Sequence, residues 1–397
     1  MDRAQAIKAR PFLLAWCICF VLMEAFGTIF AGGGAHTDFR AFYSAGHIVM
    51  RHPSQLYDLT QQRQTEHALV SEEGFLSFYH PGYEALLFAP FSLLNYHSAY
   101  LAFIAFNLLL VMAAFFAARP EFSSVIPWLQ PRPGLIFFAY LPLLIAISLG
   151  QDSILFLLLL CLTWRQLESG REIGAGCILA LALFKFQIVL PIAALMAVRC
   201  GWRFSVGFLM SAAGVVLLSV GVAGFSGTAS WVQLLFGAAS IISKGAVEQK
   251  IRVFPLALTN ITGLIYACGG RYLSSPFTFN LLVGICSLSL FVWCMRVIQQ
   301  CELSVAFSIA ILCGLLVSYH LNIYDLTLAL LPVVLLVDQT SRYILLALFI
   351  LPVIVLQFGL NWHFLLAIPV LALLVSTLTS PARRAASVTE TAATAAI

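Results

Sequence analysis

Charge is the scarcest property of this 397-residue sequence: Asp, Glu, Lys and Arg make up only 10% of it, against 61% hydrophobic residues. Soluble domains carry about 25% charged residues, so a soluble enzyme is excluded, and so is low-complexity disorder. The ten cysteines form no C-x-x-C and no Cys/His cluster, which leaves no support for a zinc site or a disulfide framework. Cys17, Cys19, Cys161, Cys177, Cys286 and Cys313 sit inside apolar runs. There is no D-x-D pair for a nucleotide diphosphate and its metal, no fixed-period repeat, and no evident inverted repeat of broken helices that would favour a secondary transporter. A formal charge of +4 does not suggest nucleic acid; the basic residues read as loop arginines that set topology. What is present is apolar sequence in runs of about 20 residues, the mark of an all-α polytopic membrane protein.

Apolar runs predict spans near 11–31, 97–117, 134–149, 151–164, 204–223, 277–295, 303–318, 323–337, 344–358 and 363–379. The first follows Arg3, Lys8 and Arg10 and reads as an uncleaved span rather than a signal peptide. Residues 173–198 fit either one span or two short helices that turn back around Lys185. The positive-inside rule favours the hairpin. It places Arg3, Lys8, Arg10, Arg119, Arg132, Arg165, Arg171, Arg199, Arg203, Arg296, Arg342, Arg383 and Arg384, 13 of the 21 basic residues, in short inner segments. One domain, 1–379, is expected, with outer loops at about 32–80 and 224–275 and a disordered cytoplasmic tail at 380–397. Residues 83–94 read as a helix lying at the interface, and 229–243 as a similar one anchored by Trp231.

In this topology the unusual polar residues share the outer side: Asp38, Tyr79, His80, Gln151, Asp152, Lys185, Gln187, His320 and Asp325. Ionisable groups at membrane depth are costly and usually line a cavity or pair with one another. Each also has a plainer reading. Asp38 is suited to cap the helix that follows it, and Gln151-Asp152 to cap the one from Ser153. Lys185 is long enough to snorkel to the headgroups, Asp325 to pair with Lys185, and His320 to be a satisfied core histidine. Glu24, inside the first span, is expected to be protonated or paired. His36, His47, His52, His67 and Tyr57 read as solvated loop residues.

The motifs fall in a recognisable order. Asp38-Phe39-x-x-Phe42-Tyr43-x-Ala45 follows the first span, then Leu56-Tyr57 and Tyr79-x-Pro81. Gly150-Gln151-Asp152-Ser153 comes next, then Gly176 leading to Lys185-x-Gln187 before Pro191, and Ser318-x-His320 with Tyr324-Asp325-Leu326. From Asp38 to about Asp338 this series resembles the polyprenol-phosphate-mannose-dependent mannosyltransferases of glycosyltransferase family 87. Asp152 stands where that family more often has Asn. The resemblance implies a GT-C-type bundle of about 11–13 transmembrane or half-membrane helices, a lipid-linked sugar donor and an outward-facing site. It makes Asp38 the catalytic base and puts His320 in the donor or catalytic pocket; the acceptor is not inherited.

The residues suit that chemistry. A carboxylate such as Asp38 deprotonates the attacking hydroxyl. Cations stabilise the leaving phosphate, and Lys185, Lys250, Arg252 and His320 are the candidates, with Lys185 and Arg252 preferred. Gln151, Asp152 and Asp325 are available for sugar hydroxyls, with Gln187, Tyr79 and His80 nearby. Attack opposite the phosphate inverts the anomeric centre. No cofactor or metal is required, although Asp38 and Asp152 offer ligands to a divalent ion. The expected partners are a polyprenyl-phosphate sugar, mannose first, a lipid or glycan acceptor and membrane lipid, in a bacterial inner membrane with the site toward the periplasm or exterior. The competing readings are a lipid or sugar transporter, an enzyme of the same fold using another lipid-linked sugar such as arabinofuranose or glucose, and a non-catalytic assembly protein.

Overall fold

The computed structural model describes residues 37–70, 74–125, 140–238, 254–273 and 275–379. Among them there is no strand, and the chain is an all-α polytopic membrane protein. Five helical segments are long and apolar enough to cross a membrane: Tyr96–Ala118, Leu183–Cys200, Trp202–Leu235, Pro276–Ile298 and Asn361–Thr379. The expected first span at 11–31, with Glu24, lies outside the described residues, as do His36 and the tail from residue 380.

Three short helices come first: α1 (Phe39–Arg51), α2 (Leu59–Leu69) and α3 (Gly82–Phe88). The long helix α4 (Tyr96–Val125) follows. The antiparallel series is then α5 (Leu141–Ser148), α6 (Ser153–Glu168), α7 (Glu172–Ala180), α8 (Phe186–Cys200) and α9 (Trp202–Ala238). After α10 (Ile261–Cys268) come α11 (Pro276–Ile298), α12 (Leu303–Val317), α13 (Leu330–Leu336), α14 (Arg342–Phe358) and α15 (Ala367–Thr379). Helix α12 is the axis of the bundle. Every residue from Val305 to Leu316 is buried, and α8, α11, α13 and α15 pack around it. On α9 and α11 the apolar side chains of Leu209, Leu217, Phe277 and Leu288 point outward, as expected of surfaces solvated by lipid.

The stretch 173–198 is a hairpin. One helix of that length would part its ends by about 39 Å at 1.5 Å per residue. Instead α7 climbs to a tight turn at Leu183–Lys185 and α8 descends. The start of α7 then lies against the start of α9, so closely that a methyl group on Gly207 would sit 2.1 Å from the Ile173 carbonyl oxygen and one on Gly176 2.2 Å from that of Phe204. Small residues let membrane helices approach backbone to backbone in this way. The hairpin gathers Arg165, Arg171, Arg199 and Arg203 at the end of the bundle opposite Lys185, where the Arg199 guanidinium donates to the Cys301 carbonyl at 3.2 Å.

Two local readings are revised. The helix expected at 229–243 starts earlier, just after a non-helical break at Gly224 whose φ of 72° suits glycine, and is described as far as Ala238. Trp231 donates its indole N–H to the Tyr79 carbonyl at 2.8 Å. Tyr57 is not solvated but buried, donating to the His80 carbonyl at 2.8 Å. The segment read as interfacial is α3 plus a short turn at Phe91–Leu93, and α3 packs on α1 and α9.

Gly207→Ala is expected to lower the melting temperature in detergent, since overpacking costs about 1–3 kcal/mol. Gly214→Ala in the same helix, where an added methyl meets nothing within 4 Å, should leave it unchanged or raise it. Equal behaviour of the two would contradict the close α7–α9 contact.

Candidate active site at one end of the bundle

Four turns converge at the end of the bundle that carries Lys185. They are Thr37-Asp38 before α1, Tyr79-His80 before α3, Gly150–Asp152 between α5 and α6, and Leu183–Lys185 between α7 and α8. The loop from Ser318 to Asp325 closes the group.

The first clasp joins Asp38 to the α5–α6 turn. The Phe39 amide donates to the Leu149 carbonyl at 3.1 Å. Gly150 has a φ of 66°, and a methyl group there would lie 2.7 Å from Phe39 Cβ, so both conformation and space call for glycine. Asp38 sits at the head of α1 but its side chain makes no capping bond. It accepts from Gln151 Nε2 at 2.5 Å. Asn107 donates to the Gln151 carbonyl at 3.3 Å and Tyr100 to that of Ser148 at 2.5 Å, which fixes the turn to α4. Beneath, the Phe39 ring stacks on Phe103 at 5.0 Å. Burial pushes the Asp38 carboxyl up to about 6, against the lowering effect of the Gln151 hydrogen bond and the Lys185 and Arg40 charges.

The second clasp is ionic. The Lys185 ammonium, 4% exposed, lies 2.8 Å from Asp152 Oδ1 and 2.5 Å from Asp325 Oδ1 and donates to Ser153 Oγ at 2.7 Å. Of its three donors, two go to Asp325 and Ser153, and the Asp152 carboxylate faces the ammonium as an ion pair. Lys185 therefore does not snorkel, and Asp152 caps nothing. On the far side of Asp152, His80 Nδ1 lies 3.3 Å from Asp152 Oδ2 and 2.6 Å from Glu84 Oε2. Burial disfavours the charged imidazole, but Glu84 and Asp152 outweigh it and hold His80 above the usual histidine range, while burial raises the Glu84 carboxyl in turn. The segment carrying Tyr79 and His80 is fixed by Gln62, which accepts from the Phe78 amide at 2.9 Å and donates to its carbonyl at 3.0 Å. An Arg40–Glu66 ion pair at 3.3 Å ties α1 to α2.

The third group is on the loop after α12. Asn322 and Asp325 form a reciprocal capping box, in which the Asn322 amide donates to Asp325 Oδ2 at 3.1 Å. The Asn322 Nδ2 group faces His320 Nε2 at 3.1 Å and Tyr324 Oη at 2.6 Å.

The structure thus brings together Asp38, His80, Gln151, Asp152, Lys185, His320 and Asp325, with the half-buried Tyr79 beside His80. Gln187 lies beyond the Lys185 turn and takes no part in this network among the described residues. Lys250 and Arg252 lie outside the described residues. The sequence reading missed Glu84, Asn107 and Asn322, and had Ser153 only as the last residue of a motif. Glu84 was hidden within an apolar helix pattern, and Asn107 was visible only as one amide in an apolar span. The metal-like spacing falls on His80, Glu84 and Asp152, whose ligand atoms lie within 4.8 Å of one another, rather than on Asp38 with Asp152. His80 is the one basic group of the three and lies between the two carboxyl groups.

Lys185→Met should remove about 3–5 kcal/mol of stability, because it leaves Asp152 and Asp325 buried without their shared cation. Thermal unfolding in detergent would show it, and an unchanged melting temperature would contradict the arrangement.

No curated protein and no solved structure matches the chain. The model of glycosyltransferase family 87 matches residues 78–321, well over half of the sequence and three of the four converging turns. This match sets aside the transporter and assembly-protein readings, and the chain belongs to glycosyltransferase family 87 as a membrane glycosyltransferase.

Proposed function

We propose that this end of the bundle transfers a sugar, mannose first, from a polyprenyl-phosphate donor to a hydroxyl of a lipid or glycan acceptor, with inversion. The observation that carries the reading is the state of Asp38. It is a carboxylate at the mouth of the cluster, held through one oxygen by Gln151 rather than used as a helix cap. It takes the proton of the acceptor hydroxyl as that oxygen forms its bond to the anomeric carbon. The bond from the anomeric carbon to the phosphate oxygen breaks, and the electron pair leaves with the polyprenyl phosphate.

The phosphate needs hydrogen-bond donors as its charge grows. With Lys185 held by Asp325, Ser153 and the Asp152 ion pair, direct contact is assigned first to His320, with Lys250 and Arg252 as further candidates. Lys185 contributes its field and the placement of the turns. Gln151, Asp152 and Asp325 flank the space where sugar hydroxyls would sit. The sidedness follows from the arginines: Arg165, Arg171, Arg199 and Arg203 lie at the other end, which the positive-inside rule makes cytoplasmic. The cluster then faces the periplasm or exterior of a bacterial inner membrane.

Membranes containing wild type or Asp38→Asn at equal level, given labelled polyprenyl-phosphate-mannose with endogenous lipid as acceptor, test this. Wild type should form a labelled product, and the variant should be slower by about 10²–10⁴-fold. Because the base must be unprotonated, the wild-type rate should rise with pH through about 6. Equal product from both proteins would remove Asp38 as the base. Product only from another lipid-linked sugar would keep the mechanism and change the donor.

A further inference from the structure

We propose that Asn322 fixes the tautomer of His320, so that the imidazole keeps its proton on Nδ1 and presents that N–H to the donor phosphate. The phosphate half of this statement rests on the function proposed above; the tautomer does not.

The argument begins with the capping box. The Asp325 backbone amide donates to the Asn322 backbone carbonyl at 3.1 Å and is shared with the Asn322 side-chain oxygen in the box, while the Asn322 backbone amide donates to Asp325 Oδ2 at 3.1 Å. An Asn carboxamide has one acceptor end and one donor end, so use of the oxygen in the box fixes which way the NH₂ points. Its two hydrogens meet two atoms, Tyr324 Oη at 2.6 Å and His320 Nε2 at 3.1 Å. An amide nitrogen can only donate. His320 Nε2 must therefore offer a lone pair, and in a neutral imidazole the proton then resides on Nδ1.

The surroundings keep the ring neutral and still. Burial and the nearby Lys185 and His80 charges hold His320 below the usual histidine range, against the raising effect of Asp325. The backbone under it is pinned. Ser318 Oγ donates to the His320 carbonyl at 2.7 Å, Asn260 donates to the Ser318 carbonyl at 2.5 Å, and the Thr259 amide donates to the Leu321 carbonyl at 2.9 Å. The chain of contacts also runs inward. Asp325 holds Asn322 with one oxygen and Lys185 with the other. The buried ammonium thus reaches the imidazole through Asp325 and Asn322, without touching the substrate. Asn322 acts through His320 and is a positioning residue.

The test uses the full chain in lipid nanodiscs with ¹⁵N-labelled histidine, where ring nitrogen shifts report which atom carries the proton. His320→Gln assigns the signal by its loss. Wild type should show His320 neutral with the proton on Nδ1. Asn322→Asp keeps an acceptor for the capping box but replaces the donor facing Nε2 with a second acceptor. It should move the proton to Nε2 or charge the ring, and should slow glycosyl transfer by about 100-fold through kcat, the scale of losing one transition-state donor. A wild-type ring protonated on Nε2, or unaltered in Asn322→Asp, overturns the proposal. So does a changed tautomer with no change in rate, because the N–H is then not used. Wild type that shows the expected tautomer yet transfers no sugar supports the assignment of Asn322 and overturns the proposed function instead.

Discussion

One ammonium holds this end of the molecule together. Lys185 is buried at the tip of a helical hairpin, and desolvating it costs several kcal/mol. It is tolerable because Asp325 and Ser153 accept hydrogen bonds from it and the Asp152 carboxylate pairs with its charge. Those partners come from the head of α6 and the loop after α12, so the same interaction that neutralises the charge aligns three separate turns. Asp152 in turn borders His80, and Asp325 organises Asn322 and His320. The turns that carry His80, Asp152 and His320 therefore inherit their geometry from one buried charge.

The bundle below serves that alignment. Backbone-close packing at Gly176 and Gly207 returns the chain quickly enough for the hairpin tip to meet the α5–α6 turn. Gly150 lets that turn press against Phe39, which in turn sets Asp38 beside Gln151. None of these contacts is strong alone. Side chains at this end bond to backbone carbonyls, as Asn107, Tyr100 and Tyr57 do, as well as to one another, which ties the polar cluster to the helices.

Much of this was legible in the sequence. The placement of arginines identified the hairpin, because a single span would have put Arg199 and Arg203 on the wrong side. The same topology put Asp38, Gln151, Asp152, Lys185, His320 and Asp325 at a common level, where the structure finds them in one network. Beyond the pairing of Lys185 with Asp325, the sequence could not show which polar residue meets which. Ser153 and Asp325 are 172 positions apart, and no periodicity links them. Lys185 read as a phosphate candidate as well as a partner of Asp325, and the structure adds Asp152 and Ser153 to its neighbours. Tyr57 read as solvated because loop composition says nothing about the carbonyl of His80 waiting for its hydroxyl. Asn322 went unnoticed because its role depends on a capping box, a matter of local geometry rather than of residue type.

The most direct measurement is a cryo-electron microscopy structure with a bound polyprenyl monophosphate. The account expects the phosphate within hydrogen-bond reach of His320 Nδ1, beside Asp38, with Lys185 still paired to Asp152, Asp325 and Ser153. A phosphate bound directly to Lys185, with either carboxylate displaced, would contradict it.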